Sequence, residues 1–213
     1  MTTDPHAGLP VVQAGAPLGE GRGAVIMVHG RGAGPANILD LVPRLDHPDF
    51  TYLAPTAAGR TWYPHSFMAE RAANEPWLSS ALRAVGRVVT DVAERGVPAE
   101  RIVLLGFSQG ACLTSEFAAA HAARYGGVIV FSGGLIGPPG TAWTYPGAFA
   151  GTPVFLGVSD VDSHVPKDRV EETAAVFTRM GASVDLRIYP GMGHVVQDDE
   201  ISAARALLDR VGA

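Results

Sequence analysis

The chain has 213 residues, 47% of them hydrophobic and 17% charged, the balance of a globular protein with a sizeable core rather than a disordered or fibrous one. A formal net charge of -5, with no cluster of Lys and Arg to offset it, argues against a nucleic-acid partner. The single Cys112 excludes an intramolecular disulfide and a multi-cysteine metal site. No apolar run approaches membrane-spanning length, so no stable membrane insertion is expected. The N-terminal stretch has neither the basic start nor the apolar core of a signal peptide, and the expected location is cytoplasmic.

Residues 1–23 are rich in Gly, Pro and Ala and read as a loose arm, with a short edge strand near Val11 and Val12. Residues 24–28 form a first buried strand, which ends at His29-Gly30-Arg31-Gly32-Ala33-Gly34. A helix follows from about Pro35, with Ile38, Leu41 or Val42, and Leu45 facing inward and Pro43 kinking or ending it. Residues 50–54 read as the next strand. From 55 to 75 no period holds; Trp62, Tyr63, Pro64, His65 and Phe67 mark a long excursion over one end of the sheet. Loops of that length in a compact domain are more often functional than idle. Pro76 opens a helix with Leu78, Leu82, Val85, Val89 and Val92 on one stripe and Gly96 just past its end.

Residues 102–105, I-V-L-L, have the continuous apolar character of a strand buried on both faces. They run directly into Gly106-Phe107-Ser108-Gln109-Gly110, a match to G-x-S-x-G, and 111–125 then reads as an alanine-rich helix. Strand, sharp turn and helix form the context in which this motif carries chemistry. The turn strains Ser108 so that its hydroxyl projects above the sheet, and the flanking glycines remove side chains that would clash there. The alternative is an ordinary turn with a capping serine. Further strands are predicted over 128–131 and 154–158, separated by an irregular stretch over 132–152. Pro166 starts a helix carrying Val170, Phe177 and Met180. Residues 183–189 alternate in the manner of a strand nearer the edge, and a last helix from about Asp198 buries Ile201, Leu208 and Val211. Strands alternating with helices in single file predict one domain over 1–213, built on a mostly parallel central sheet with helices on both faces and no large lid. The site should lie beyond the carboxyl ends of the strands.

A serine hydroxyl is a poor nucleophile until a base takes its proton, and that base must itself be held by a carboxylate. His194, in the loop directly after the strand over 183–189, is placed to reach over Ser108. Of the other histidines, His29 is expected to shape the loop that follows it, His65 to line a pocket or sit exposed, and His164 to serve a turn. His6, His47 and His121 read as surface residues. The acid should follow the strand over 154–158, where Asp160 and Asp162 both qualify. Asp162 is favoured, with Asp160 left to bond the loop. The oxyanion of a tetrahedral intermediate needs two backbone N–H donors, expected from Gln109 and from Arg31 in the glycine-rich turn. The Arg31 side chain either guides an anionic substrate or sits solvated or ion-paired. Trp62, Tyr63, Phe67 and Leu135, with Ile136, Trp143 and Tyr145, are candidates for an apolar acyl or aryl pocket, or else pack the long loops onto the sheet.

Six blocks in order then carry a family resemblance: V-H-G-R-G-A over 28–33, T-W-Y-P over 61–64, N-E-P-W-L-S-S-A-L over 74–82, G-F-S-Q-G over 106–110, S-D-V-D-S-H-V-P over 159–166 and Y-P-G-M-G-H over 189–194. Together they resemble the phospholipase/carboxylesterase family of small α/β-hydrolases, which includes bacterial carboxylesterases and acyl-protein thioesterases. The resemblance implies the α/β-hydrolase fold and a serine hydrolase acting on small carboxylic esters; with no large lid in the sequence, an accessible site and short-to-medium acyl chains are expected. The resemblance also implies Ser108, Asp162 and His194 as triad and Arg31 and Gln109 as oxyanion donors. No H-E-x-x-H or paired cysteines occur, so no metal or other cofactor is expected, and a homodimer is the candidate assembly. One departure concerns the acid. The family places a glycine three residues before it, which here points from Gly157 to Asp160, and Val-Pro three and four residues after it, which points from Val165-Pro166 to Asp162. The excursion over 61–67 is closer to the bacterial esterases than to the thioesterases. A thioesterase or lysophospholipase is the runner-up. A dienelactone hydrolase generally uses cysteine, against which Ser108 argues, and a non-catalytic binding protein on the same fold is the alternative from outside the enzymes.

Overall fold

Strands apolar along their whole length can be stable only if both faces are covered, and alternate side chains then feed two separate cores. The computed structural model describes residues 4–212; residues 1–3 of the predicted arm lie outside that range. Its elements are β1 (Val11–Gly15), β2 (Ala24–Val28), α1 (Pro35–Leu39), α2 (Val42–Leu45), β3 (Thr51–Pro55), α3 (Trp77–Glu94), β4 (Ile102–Phe107), α4 (Gln109–Ala120), β5 (Gly127–Phe131), β6 (Pro153–Ser159), α5 (Lys167–Arg179), β7 (Ser183–Tyr189) and α6 (Asp198–Leu208). The seven strands form one sheet in the order β1-β3-β2-β4-β5-β6-β7. Only β1 runs antiparallel, against β3; all other pairs are parallel. Ala24, Ile26 and Val28 of β2, with Ile102 and Leu104 of β4, face a core closed by α3, α4 and α5. Val25 and Met27, with Val103 and Leu105, face the other, closed by α1, α2 and α6.

The helix predicted from Pro35 breaks in two. Pro43 lies in the first turn of α2, where a missing N–H costs nothing, so the chain ends one helix at Leu39 and begins another at Val42. Ile38 and Leu45 are buried as predicted, while Leu41 and Val42 are half-buried. Along α3 the buried stripe is Leu78, Ala81, Val85, Val88 and Val92, and the predicted Leu82 and Val89 sit on its flank.

The described part of the arm, residues 4–23, is held in place rather than loose, and His6 is buried rather than on the surface. The His6 Nδ1 accepts the Ala58 amide at 3.0 Å, which leaves Nε2–H to donate to the Trp62 carbonyl at 2.9 Å. The His6 amide donates to Ser80 Oγ at 2.9 Å, and Asp4 hydrogen-bonds the same hydroxyl and pairs with Arg83 and Arg87 of α3. Burial holds the His6 imidazole below its ordinary pKa, consistent with this neutral form. A turn-rich composition carries no sign of such a long-range anchor.

Two irregular excursions, 56–76 and 132–152, lie beyond the carboxyl ends of the parallel strands and are pinned by two buried ionic side chains. Glu116 of α4 receives Arg71 at 2.6 Å, the Tyr145 hydroxyl at 2.9 Å and the Ile136 amide at 3.2 Å. Arg169 of α5 donates to the carbonyls of Leu135 and Gly137 at 3.0 and 2.7 Å, and the Gly137 amide binds the Phe67 carbonyl at 2.9 Å. The excursions thus form a fixed rim in place of a large lid.

At the start of α6, Glu200 is fully buried beside Gly157 of β6. Its Oε2 accepts the Gln197 amide at 3.0 Å, and its Oε1 has no partner among the described residues. Burial raises the carboxyl to about 7. Between the ordinary glutamate value and that one the folded state holds a proton the unfolded state has released, so stability should fall as pH rises through this window. Glu200→Gln, which keeps the cap acceptor, should gain on the parent protein by about 2–3 kcal/mol between pH 5 and pH 8, read from urea unfolding. Parallel pH profiles for the two proteins would refute the assignment.

Candidate active site

The site begins at the turn between β4 and α4. Ser108 sits there at φ 57°, ψ -122°, a conformation an L-residue adopts only under constraint, and its amide donates to the Phe131 carbonyl at 3.0 Å. The two motif glycines are sterically required. A Cβ on Gly110 would lie 2.1 Å from the Val28 carbonyl oxygen, and one on Gly106 would lie 2.5 Å from that of Gly110. The strained turn aims the Ser108 hydroxyl at His194 Nε2, 2.8 Å away. His194 Nδ1 lies 2.7 Å from Asp162 Oδ2, and the Asp162 side chain is wholly buried. Its other oxygen accepts the His164 and Val165 amides at 2.8 and 2.9 Å. Burial works against the Asp162 charge, but these bonds from His194 and the two amides outweigh it and hold the carboxyl below its ordinary pKa. A charged carboxylate demands the Nδ1–H tautomer of His194, which leaves Nε2 free to accept the serine proton.

The two aspartates have different partners. Asp160 faces the loop backbone, where its Oδ1 accepts the Gly191 amide at 2.8 Å. Ser159 Oγ accepts Gly193 and Val161 amides at 3.2 and 3.1 Å, so β6 and its loop fix the turn that carries His194. The ring is flanked by Phe107 and His164, with centroids 5.1 and 4.7 Å away.

Across from His194, Gly30 brings the loop after β2 close to the serine; a Cβ there would lie 3.4 Å from that of Ser108. Among the described residues no acceptor takes the backbone N–H of Arg31 or of Gln109, and both residues border the cavity at Ser108. Gln109 is the first residue of α4, where an N–H has no partner within the helix. His29 has the structural role expected of it: its buried ring bonds Gly30 through Nδ1 at 2.8 Å and accepts the Ala57 amide on Nε2. The Arg31 side chain is exposed and forms no ion pair among the described residues. It donates to the Pro64 and His65 carbonyls at 2.9 and 2.7 Å and so ties the excursion to the loop.

The cavity over Ser108 has a volume of about 550 Å³ and is walled in part by Tyr63, Phe67, Cys112 and Val165. Tyr63 and Phe67 therefore line the cavity over Ser108. Trp62 and Leu135 do not, and their expected pocket role is corrected. Trp62 is core: its indole N–H donates to the His29 carbonyl at 2.8 Å, and its own amide donates to the Gln109 side chain at 3.0 Å. Leu135 is buried beneath the rim, its amide on Thr173 Oγ1 and its carbonyl on Arg169. Trp143 and Tyr145 likewise pack on Arg169 and Glu116. Sequence reasoning missed the Gln109 side chain, which suspends the Trp62–Tyr63 backbone through bonds to Trp62 N and Tyr63 O. It also missed Cys112 as a wall residue, although the four-residue step from Ser108 along α4 carried that signal. Burial raises the Cys112 thiol to about 12, so it stays protonated and inert. Among the described residues, no three His, Cys, Asp or Glu side chains are placed to hold a metal ion, and no helix is long and apolar enough to cross a membrane.

A model of the phospholipase/carboxylesterase family matches residues 10–211. The chain belongs to that family. A phospholipase/carboxylesterase from Dyadobacter fermentans shares 42% identity and superposes with a TM-score of 0.91, over 94% of this chain and 96% of that one. Acyl-protein thioesterase 1 of Eremothecium gossypii is 32% identical over 159 residues, which is 70% of this chain and 64% of the fungal protein, a little under two thirds of its length. The carboxylesterase of Bacillus cereus, at 18% identity and a TM-score of 0.75, shares the fold. The mostly parallel sheet with helices on both faces is thus the α/β-hydrolase fold of a family of esterases and thioesterases, as the six sequence blocks imply.

Proposed function

We propose that the protein is a carboxylesterase that cleaves small esters of short-to-medium acyl chain through an acyl-enzyme on Ser108. The observation that carries this reading is the unbroken line from Asp162 to His194 to Ser108, with contacts of 2.7 and 2.8 Å across three separate loops. His194 Nε2 takes the hydroxyl proton as the serine oxygen attacks the ester carbonyl, and the carbonyl electrons move onto an oxyanion held by the Arg31 and Gln109 N–H groups. The imidazolium, stabilised by Asp162, returns its proton to the leaving oxygen as the C–O bond breaks. Water then repeats the sequence on the acyl-serine and releases the acid. No cofactor enters any step, and a cytoplasmic setting belongs to the same reading. The rim pinned by Glu116 and Arg169 and the walls of Tyr63, Phe67 and Cys112 support chains of limited length.

The 32% identity to a protein named acyl-protein thioesterase favours thioester hydrolysis as the second reading. Oxygen esters and thioesters with acyl groups from acetyl to palmitoyl, assayed on one enzyme preparation, separate the two. Turnover is expected to peak between butyryl and octanoyl and to favour no thioester over its matched ester. A peak at palmitoyl thioester would reassign the protein. A fluorophosphonate probe should label Ser108, and absence of labelling would leave only a binding protein.

A further inference from the structure

A second cavity, of about 720 Å³, also borders His194 and shares with the first Gly30, Arg31, Ala33 and Phe107. Its remaining walls include Ile38, Leu41 and Val196, together with Arg44 and Arg60, and hold no carboxylate. Chemistry assigns the two cavities different halves of an ester. His194 delivers a proton to the leaving oxygen and borders both cavities, so with the acyl chain on the Tyr63–Phe67 side of the proposed function the second cavity is the one within its reach left for the departing alcohol.

The charge of this second cavity runs against that of the whole chain, whose formal net charge is -5. Arg44 is paired, with Asp198 at 2.9 Å. Arg31 is held by two carbonyls and Arg60 has no acidic partner, so among the described residues neither charge is neutralised by a carboxylate. Arg60 is also set in an unusual backbone. Gly59 and Arg60 are successive left-handed residues, at φ 55° and 60°, and a bulky side chain at such a position is uncommon. The Arg60 carbonyl accepts the Gly32 amide at 2.7 Å, which locks the turn carrying this arginine onto the loop carrying Arg31. Burial lowers the His29 imidazole from its ordinary pKa, and the nearby Arg60 charge adds to that, so a positive potential reaches the end of β2.

We propose that this cavity seats the alcohol half of the substrate and that this half bears an anionic group, carboxylate or phosphate, recognised by Arg60. The proposal rests on the hydrolase reading of Ser108 and names the class of ester that reading leaves open. Guanidinium binds either anion through paired N–H donors, while the apolar wall of Ile38, Leu41 and Val196 covers the carbon frame between anion and ester oxygen.

The test compares four acetyl esters of one aryl size: para-acetoxybenzoate, para-acetoxyphenyl phosphate, and the neutral phenyl acetate and para-acetoxybenzamide, which bracket the leaving-group acidity. At low salt, kcat/KM for at least one anion should exceed that of both neutral esters by about tenfold, the scale of one charge-assisted hydrogen bond partly open to water, and the preference should shrink as salt is added. The better anion identifies carboxylate or phosphate as the group. In Arg60→Gln the ratio of anionic to neutral kcat/KM should drop to near one, and Arg60→Lys should keep most of it. A ratio near one in the unaltered protein, or one that survives in Arg60→Gln, overturns the proposal while hydrolysis of the neutral esters continues. Failure to hydrolyse any of the four, with no fluorophosphonate labelling of Ser108, would instead overturn the hydrolase reading and the proposal with it.

Discussion

Ser108→Ala is expected to lower turnover on a p-nitrophenyl ester by roughly 10⁵- to 10⁶-fold and to leave the protein folded. The size of the loss follows from what the hydroxyl touches. Its hydrogen bond goes to His194 Nε2, the base to which the proposed mechanism gives the serine proton. Removing the oxygen leaves the N–H donors of Arg31 and Gln109 in place, so a residual rate over water should survive from the polarised carbonyl alone. Folding should be untouched because Ser108 spans its turn with backbone bonds, its amide to the Phe131 carbonyl and its carbonyl to the Cys112 amide, both at 3.0 Å. Alanine takes the same strained backbone angles and brings no larger atom. A thermal melt equal to that of the parent, or slightly above it, would fit a polar hydroxyl held for chemistry. Turnover within tenfold of the parent would mean that another group attacks the ester. Cys112 is the side chain in the same wall to consider, and its thiol, raised to about 12 by burial, is protonated at neutral pH.

The parts of the fold that could be read from residue order are those governed by local periodicity. Residues 24–28 and 102–105 are apolar throughout because each side chain enters one of two cores, and β7 alternates because it is the last strand of the sheet. The elbow was equally legible, since Gly106 and Gly110 are required by backbone contacts that any strand–turn–helix of this shape would make. What escaped are bonds between groups far apart in the chain. His6 sits in a stretch with the composition of a flexible arm, yet it closes on Trp62 and Ser80 more than fifty residues away. Trp62 and Leu135 looked like pocket residues because they are large, apolar and set in loops. The structure spends that apolar area on packing, and the wall of the cavity over Ser108 falls instead to the adjacent Tyr63, to Phe67 and to Cys112. Hydrophobicity in a loop marks burial; which loop residue faces a cavity depends on backbone geometry that single-residue character does not carry.

The two aspartates of the loop after β6 provide the sharpest comparison. Asp162→Asn should reduce turnover by roughly 10⁴-fold, while Asp160→Asn should stay within about tenfold of the parent. At position 162 one carboxylate oxygen faces His194 Nδ1 and the other takes two amides, from His164 and Val165. An asparagine must keep its oxygen on those two N–H donors, which turns its NH₂ toward Nδ1. His194 then donates from Nε2 instead, and a ring protonated there cannot take the proton of Ser108. At position 160 the single acceptor role, toward the Gly191 amide at 2.8 Å, is one an amide oxygen fills as well as a carboxylate does. Because Asp162 is held below the ordinary carboxylate range, it stays charged throughout the neutral range, and its loss should be felt at every pH where the enzyme is assayed. Parallel measurements of kcat on one ester decide the matter. Full activity in Asp162→Asn would move the acid to Asp160, and then the 2.7 Å contact to His194 would be a structural bond and not part of the proton path.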